Sequence, residues 1–332
     1  MKIKLALLAF FIVISIAVYL SLQLLAPTTA DNSLTEIEIP EGATYKQALT
    51  TLADNDLIRE KVIFLLIGKI YGLDRKIRAG FYLFKGRLNP WQVFQKLLAG
   101  EVIEYQVTIN EGDSLYEIAK KLEMSGLTRY ETFISLTNDY RILNSYNIIA
   151  PSLEGYLYPE TYRFPKGASP EYIIRIMVTK MRNEYSGSLK EREKEMGWSE
   201  NQVLTLASII EREAVVDEER AIISGVYHNR LKKKMPLQAD PTAIYGVKTF
   251  DNKITRKDLK NKTDYNTYFI QGLPPGPIAS PSIKSIIAAL YPADVPYLYF
   301  VSNRDGTHYF SKTLQEHNEA IKRIRQIPDD AE

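Results

Sequence analysis

From Leu5 to Ala26 the chain carries no charge, and only Ser15, Tyr19, Ser21 and Gln23 interrupt an apolar run. In hydrocarbon such a segment has one stable form, a helix whose backbone hydrogen bonds all close within the segment. About 20 apolar residues span a bilayer, whereas the apolar part of a signal peptide is roughly 7–15 residues long. Lys2 and Lys4 precede the run, and Asp31 and Glu36 follow it. The positive-inside tendency then leaves residues 1–4 as a cytoplasmic tail and puts the bulk of the protein outside. The expectation is a retained single-pass anchor over residues 5–26 in the cytoplasmic (inner) membrane, with the folded part on the periplasmic or extracytoplasmic side. The competing reading is a cleaved signal, because Thr28-Thr29-Ala30 offers small residues at a cleavage site. The stretch from Pro27 to Glu36 that follows reaches about 30 Å when fully extended.

Composition narrows the chemistry. The 332 residues are 45% hydrophobic and 25% charged, an ordinary globular balance with length for about two domains. Basic residues number 42 against 40 acidic, so the cationic excess that nucleic acid requires is missing and no nucleic-acid partner is expected. There is no cysteine, which removes disulfides, thiolate catalysis and cysteine-based zinc sites. The three histidines, His228, His308 and His317, include no helical metal-binding pair, so neither metal nor cofactor is expected. Tyrosine is abundant at 22. Its ring stacks on sugar faces and its hydroxyl bonds to theirs, although most tyrosines simply pack.

An internal similarity organises the first half. Ile37-Glu38-Ile39-Pro40-Glu41-Gly42-Ala43-Thr44-Tyr45 is echoed by Val107-Thr108-Ile109-Asn110-Glu111-Gly112-Asp113-Ser114-Leu115. Each copy alternates like a strand, turns at Glu-Gly, and enters an amphipathic helix capped by Thr44 or Ser114. The second copy resembles the start of a LysM module, a small β-α fold that binds N-acetylated glycans, over one strand and one helix. Between the copies, Lys61 to Tyr71 and Trp91 to Leu98 read as helices and Ala79 to Phe84 as a strand. Arg129 to Asn138 reads as helical, Leu153 to Phe164 as an aromatic strand-and-turn segment, and Glu171 to Glu195 as one long helix closed by Gly197. The expected fold class is α+β. A LysM-like module over residues 37–150 is followed by a larger, mainly helical domain with some β over 151–326.

The chemistry-bearing segment starts at Ser199, where Gln202 completes a capping-box pattern. Val203, Leu206, Ile209, Ile210 and Ala214 then recur at helical spacing. Glu213 prolongs this apolar face, while Glu211 lies on a flank with more access to polar contacts. A carboxyl beneath an apolar stripe is desolvated, which favours its neutral form and makes it a proton donor near neutral pH. Glu213 is therefore the candidate acid and Glu211 the second choice, against the plain alternative that both end a solvated helix. Downstream lie Leu237-Gln238-Ala239-Asp240-Pro241-Thr242, then Tyr265-Asn266-Thr267-Tyr268 and Gly272-Leu273-Pro274-Pro275-Gly276. An acid delivered into surroundings rich in Tyr, Asn, Gln and Gly suits acid catalysis on a carbohydrate. A further helix is expected from Asp217 to Leu231, with Lys232-Lys233-Lys234 at its C-terminus, where cations are favoured. His228 and Asn229 within it read as packing or capping residues.

Taken together, Leu206 to Glu213, Tyr227-His228-Asn229-Arg230-Leu231, Leu237 to Thr242, Tyr265 to Tyr268, Gly272 to Ile278 and Tyr297 to Val301 resemble the endolytic murein transglycosylase family (MltG, YceG-like). The resemblance runs from the membrane anchor to His317-Asn318, nearly the whole chain. It implies a lyase that cleaves the MurNAc–GlcNAc β-1,4 bond of nascent peptidoglycan and leaves 1,6-anhydro-MurNAc ends, terminating glycan elongation. It also implies peptidoglycan synthases as partners. The family's acid is the second glutamate of a Glu-x-Glu pair, which falls on Glu213. Many members follow that glutamate with Thr or Gly, and here Ala214 removes a possible hydroxyl contact but not the acid. Gln238 and Asp240 are then cleft residues that orient substrate or acid, and Tyr265, Asn266 and Tyr268 hydrogen-bond the sugar. Two other classes stay open: a non-catalytic LysM-type wall-binding scaffold, and a muramidase-type hydrolase using Glu213 with Asp240 as base.

Overall fold

The uncharged run forms α1 (Lys2–Leu25), which is exposed along nearly its whole length. Over Ile3–Leu25 its mean hydropathy is 2.7, long and apolar enough to cross a membrane. The computed structural model describes residues 2–72, 77–250 and 254–326. Met1, the first residue of the expected cytoplasmic tail, lies outside them. By its contacts the chain divides into two compact units, one up to Tyr105 plus Arg163–Ala168, the other Gln106–Tyr162 plus everything from Ser169.

In the first unit, β1 (Leu34–Ile39) turns at Gly42 into α2 (Tyr45–Asp54), followed by α3 (Lys61–Tyr71), β2 (Gly80–Lys85) and α4 (Pro90–Ala99). Strand β2 returns antiparallel to β1, with Leu34 opposite Lys85 and Ile39 opposite Gly80. Thr44 and Gln47 close a capping box at α2, as Asn89 and Gln92 do at α4, so each helix start meets its own unpaired backbone N–H groups locally. The core is the inward alternation of β1 and β2 (Ile37, Ile39, Tyr82, Phe84) against Tyr45, Ala48, Leu49, Leu52, Phe64, Val93, Phe94 and Leu97. Helix α3 is held closely. The Tyr45 hydroxyl donates to the Phe64 carbonyl at 2.7 Å, and a Cβ on Gly68 would sit 2.1 Å from the Tyr45 ring. The segment after α1 is no extended tether. Thr28 N–H donates to the Leu88 carbonyl at 3.0 Å, and the hydroxyls of Thr28 and Thr29 donate to the carbonyls of Leu57 and Gly86 at 3.1 and 2.7 Å. The folded unit therefore starts where α1 stops.

The repeat in sequence is a repeat in topology. After β3 (Glu104–Thr108) come α5 (Leu115–Met124), α6 (Tyr130–Thr137), the short α7 (Tyr140–Ser145) and β4 (Thr161–Pro165), which pairs with β3. Ser114 and Glu117 form the capping box of α5, matching Thr44 and Gln47. By contacts, the second unit begins at Gln106, within β3. The turn after β3 is bound within the second unit, with Gly112 N–H on the Ser280 carbonyl and Ser280 N–H on the Asp113 carbonyl, both at 2.8 Å.

The second unit continues with α8 (Pro170–Glu184), α9 (Ser188–Met196), α10 (Glu200–Glu213), α11 (Arg220–Lys232), α12 (Ile283–Leu290), the hairpin β5 (Tyr299–Ser302) with β6 (His308–Ser311), and α13 (Leu314–Arg325). The single helix expected over 171–195 is two helices. Tyr185 leaves helical geometry, and Gly187 adopts φ 57°, a left-handed conformation that a side chain disfavours. The expected start of a helix at Asp217 is a 3-10 turn, Asp217–Glu219, that feeds α11. Helix α10 is the centre of this unit, with every residue from Val203 to Ile210 buried, and it packs on α11 and α12. An all-round buried helix is what lets its last turn present a carboxylate under apolar cover.

Candidate active site

Helix α10 ends at Glu213 because Ala214 is extended (φ −77°, ψ 121°), its N–H still reaching back to the Ile210 carbonyl at 2.9 Å. The chain then reverses through the 3-10 turn, and α11 brings Tyr227 to the end of α10. The Tyr227 hydroxyl donates to Glu213 Oε1 at 3.3 Å. Glu213 is half-buried. Its pKa is pushed up to about 8, first by burial and then by the neighbouring Asp240 carboxylate. The Tyr227 hydroxyl, the Asp240 backbone N–H and Arg212 pull the other way and are outweighed. The result is a carboxyl that keeps its proton at neutral pH and can donate it.

Asp240 opens a 3-10 turn, Asp240–Ala243, fastened to the loop that carries Thr267. Ala239 N–H donates to Thr267 Oγ1, and the hydroxyls of Thr242 and Thr267 pair, both at 2.9 Å. The Tyr268 hydroxyl donates to Asp240 Oδ1 at 2.5 Å. Gln238 has its backbone at φ 49°, sparsely populated for a non-glycine residue, and its side chain exposed. Arg230 steadies this segment from below by donating to the carbonyls of Leu237 and Leu298 at 2.8 and 2.6 Å. Glu213, Asp240, Tyr268 and Gln238 are thus neighbours on one locked framework.

Two other predicted site residues sit differently. Asn266 is fully buried and its side chain is consumed: Nδ2 donates to the carbonyls of Leu259 and Asn261 at 3.1 and 2.6 Å, and Oδ1 accepts the Tyr268 N–H at 3.0 Å. These bonds tie Asn266 into its own loop, with both amide hydrogens and one Oδ1 lone pair committed inside the fold. Tyr265 joins an aromatic row, its ring 4.6 Å from that of Tyr245, which lies 6.0 Å from Tyr116. Beside this row is a cavity of about 240 Å³ lined by Ser114, Tyr116, Lys120, Tyr130, Tyr245 and Phe250 among others.

Glu211 is fully engaged. Its side chain is 5% exposed, Oε1 accepts Arg220 Nη1 at 3.0 Å, and Oε2 accepts both the N–H and the hydroxyl of Ser282 at 2.8 and 2.5 Å. Arg220 also donates to Asp217 and Ser285, so Glu211 anchors the start of α12 to α10 and α11. The two glutamates therefore differ, Glu211 as a structural tie and Glu213 as a desolvated carboxyl beside Asp240.

Tyr227 and Arg230 were not legible as site residues, since a Tyr after Ile223 and Val226 reads as core. Their neighbours behave as expected: His228 donates from Nε2 to the Ala289 carbonyl at 2.9 Å and stacks on Trp198, and Asn229 donates to the carbonyls of Val295 and Tyr297. Glu154 was also missed. It is 1% exposed, accepts the Leu115 N–H at the start of α5 at 2.9 Å and the Tyr245 hydroxyl at 2.9 Å, and burial pushes its pKa up to about 8. No local pattern marks it. Among the described residues, no group of three or more His, Asp or Glu side chains is placed to hold a metal ion.

Known proteins place this arrangement in a family. A profile of the YceG-like family matches residues 37–323. An endolytic murein transglycosylase of Bacillus subtilis is 38% identical over 321 residues, covering 90% of this chain and 87% of its own. Another, from Streptococcus pneumoniae, is 28% identical and covers 86% of this chain and 57% of its own. The crystal structure of a YceG-like protein from Listeria monocytogenes superposes with a TM-score of 0.61 at 34% identity, covering 86% of this chain and 98% of that one. The chain belongs to the YceG-like family.

Proposed function

We propose that this protein is a membrane-anchored endolytic lytic transglycosylase of peptidoglycan, with Glu213 as its catalytic acid. The observation that carries the reading is Glu213 itself: a desolvated carboxyl at the end of a buried helix, neutral up to about pH 8, beside Asp240 and Tyr227. Relatives named endolytic murein transglycosylases supply the substrate class. In the proposed reaction Glu213 protonates the oxygen of the MurNAc–GlcNAc bond and the C1–O bond breaks. The muramyl C6 hydroxyl then attacks C1, and its proton returns to the Glu213 carboxylate, closing a 1,6-anhydro ring. Because the nucleophile belongs to the same sugar, proximity replaces the second carboxylate that an ordinary glycosidase requires. Asp240 has the role of keeping the acid protonated by its charge, and Gln238 and Tyr268 that of orienting the sugar.

Helix α1 would anchor the enzyme in the cytoplasmic membrane with residues 1–4 inside and the catalytic unit outside. Held so close to the bilayer, it would cut nascent strands beside the synthases that make them and so end their elongation. The two repeats, each a pair of strands joined through helices, with the tyrosine-lined cavity beside α5, support a LysM-like glycan contact.

A muramidase-type hydrolysis is the second reading, favoured by the placement of Asp240 next to the acid. Mass spectrometry of products from purified glycan strands separates the two. Internal cuts ending in anhydro-MurNAc support the transglycosylase, and reducing ends refute it. A protein that binds strands without cutting them would be a scaffold. Topology is tested by protease protection in right-side-out vesicles, where digestion of all but α1 is expected.

A further inference from the structure

Helix α3 is apolar on both of its faces, although it belongs to a unit with charged surfaces. Its inner face is accounted for by Phe64 and Gly68, which are buried against Tyr45 and the core. Its outer face is not: Val62, Leu66 and Ile70 recur every four residues and are 63%, 61% and 81% exposed. A helix apolar all round is buried in a core or faces lipid. Contiguous exposed apolar surface marks an interaction site.

The place of α3 in the fold identifies its cover. Arg59, two residues before α3, donates to the carbonyls of Leu22, Ala26 and Pro27 at 3.2, 3.0 and 2.7 Å, at the C-terminal end of α1. At the other end of α3, the Tyr71 ring meets Trp91 and Phe94 of α4 edge-on at 6.1 and 5.8 Å, and α4 packs against α1. Both ends of α3 are therefore tied to the exit of α1, and the threonine bonds after α1 leave no slack between them. An eleven-residue helix is only about 16 Å long, so its whole outer face stays near that exit. Tyr71 and Trp91 are the amphipathic aromatics that settle at headgroup level. Lys69, exposed beside the stripe, suits an anionic lipid surface.

We propose that α3 lies in the interface of the bilayer that α1 crosses, with Val62, Leu66 and Ile70 among the upper acyl chains. The first unit then rests on the membrane as well as being threaded to it, through an amphipathic contact continuous with the span. This rests on the anchor reading of α1. A second copy of the chain or a partner protein would be the alternative covers, and neither explains why the stripe sits beside the α1 exit.

The absence of cysteine makes a direct test simple. Full-length L66C, I70C, V13C and M124C proteins are each labelled with a nitroxide and reconstituted in phosphatidylethanolamine–phosphatidylglycerol vesicles. Collision with oxygen and with a water-soluble nickel chelate is then measured. The expected result places Leu66 and Ile70 between Val13, deep in the bilayer, and Met124, in water. Water-exposed labels at Leu66 and Ile70 with a bilayer-buried Val13 overturn the docking and leave the anchor intact. A water-exposed Val13 overturns both. Labels at Leu66 and Ile70 shielded from both agents mean a protein cover and also overturn the docking.

Discussion

Replacing Glu213 with Gln tests the acid through two measurements that a merely structural residue would not move together. The amide keeps an oxygen for the Tyr227 hydroxyl and for the Asp240 N–H, so the geometry at the end of α10 should survive. What disappears is the proton. One general acid contributes about 10²–10⁴-fold, so cleavage of glycan strands should fall by at least about 100-fold, or roughly 3 kcal/mol of barrier. Stability should move in the opposite direction. In the folded protein the carboxyl stays neutral up to about pH 8, whereas in the unfolded chain it ionises from about pH 4.5. Between these values the unfolded state releases a proton that the native state retains, so the wild type loses stability as pH rises and the loss levels off above about 8. The variant has no such titration. Its Tm should equal that of the wild type near pH 4 and exceed it increasingly towards pH 8. The ceiling on the difference is about 5 kcal/mol at 1.36 kcal/mol per tenfold, and solvent reaching a half-buried group lowers it. Product analysis and calorimetry across pH 4–9 supply both readouts. Activity within about tenfold of wild type, or a Tm difference independent of pH, would refute the role given to Glu213.

The other predictions follow from the same neighbourhood. Glu211→Gln should also lose activity, but through unfolding: breaking its buried pair with Arg220 should cost about 3–5 kcal/mol, seen as a large fall in Tm. Asp240→Asn keeps an acceptor for Tyr268 and removes the repulsion on Glu213, so the alkaline limb of the pH–rate profile should move to lower pH. Tyr227→Phe removes one hydrogen bond to the acid and should lower kcat by about tenfold or less, with binding of strands unchanged. Gly225→Ala puts a methyl 2.5 Å from the Ala293 carbonyl, and should destabilise the protein by about 1–3 kcal/mol in thermal melts.

What the sequence determined by itself lies within one or two turns of chain. The cap pairs Thr44 with Gln47, Ser114 with Glu117 and Ser199 with Gln202 all formed, because a residue and the one three positions on are brought together by the helix alone. The apolar run became α1, and the Glu-Gly turns marked both copies of the repeat, for the same local reason. The tertiary structure decided whatever depends on partners far along the chain. Glu211 and Glu213 look equivalent in sequence, and they diverge because Arg220 and Ser282, the latter 71 residues away, converge on one of them only. The Asn266 amide is held by carbonyls of a loop whose path no periodicity predicts, and Tyr227 reached Glu213 only because the 3-10 turn folds α11 back along α10. Burial and charge pairing set the chemistry of a carboxyl, and both are properties of packed neighbours.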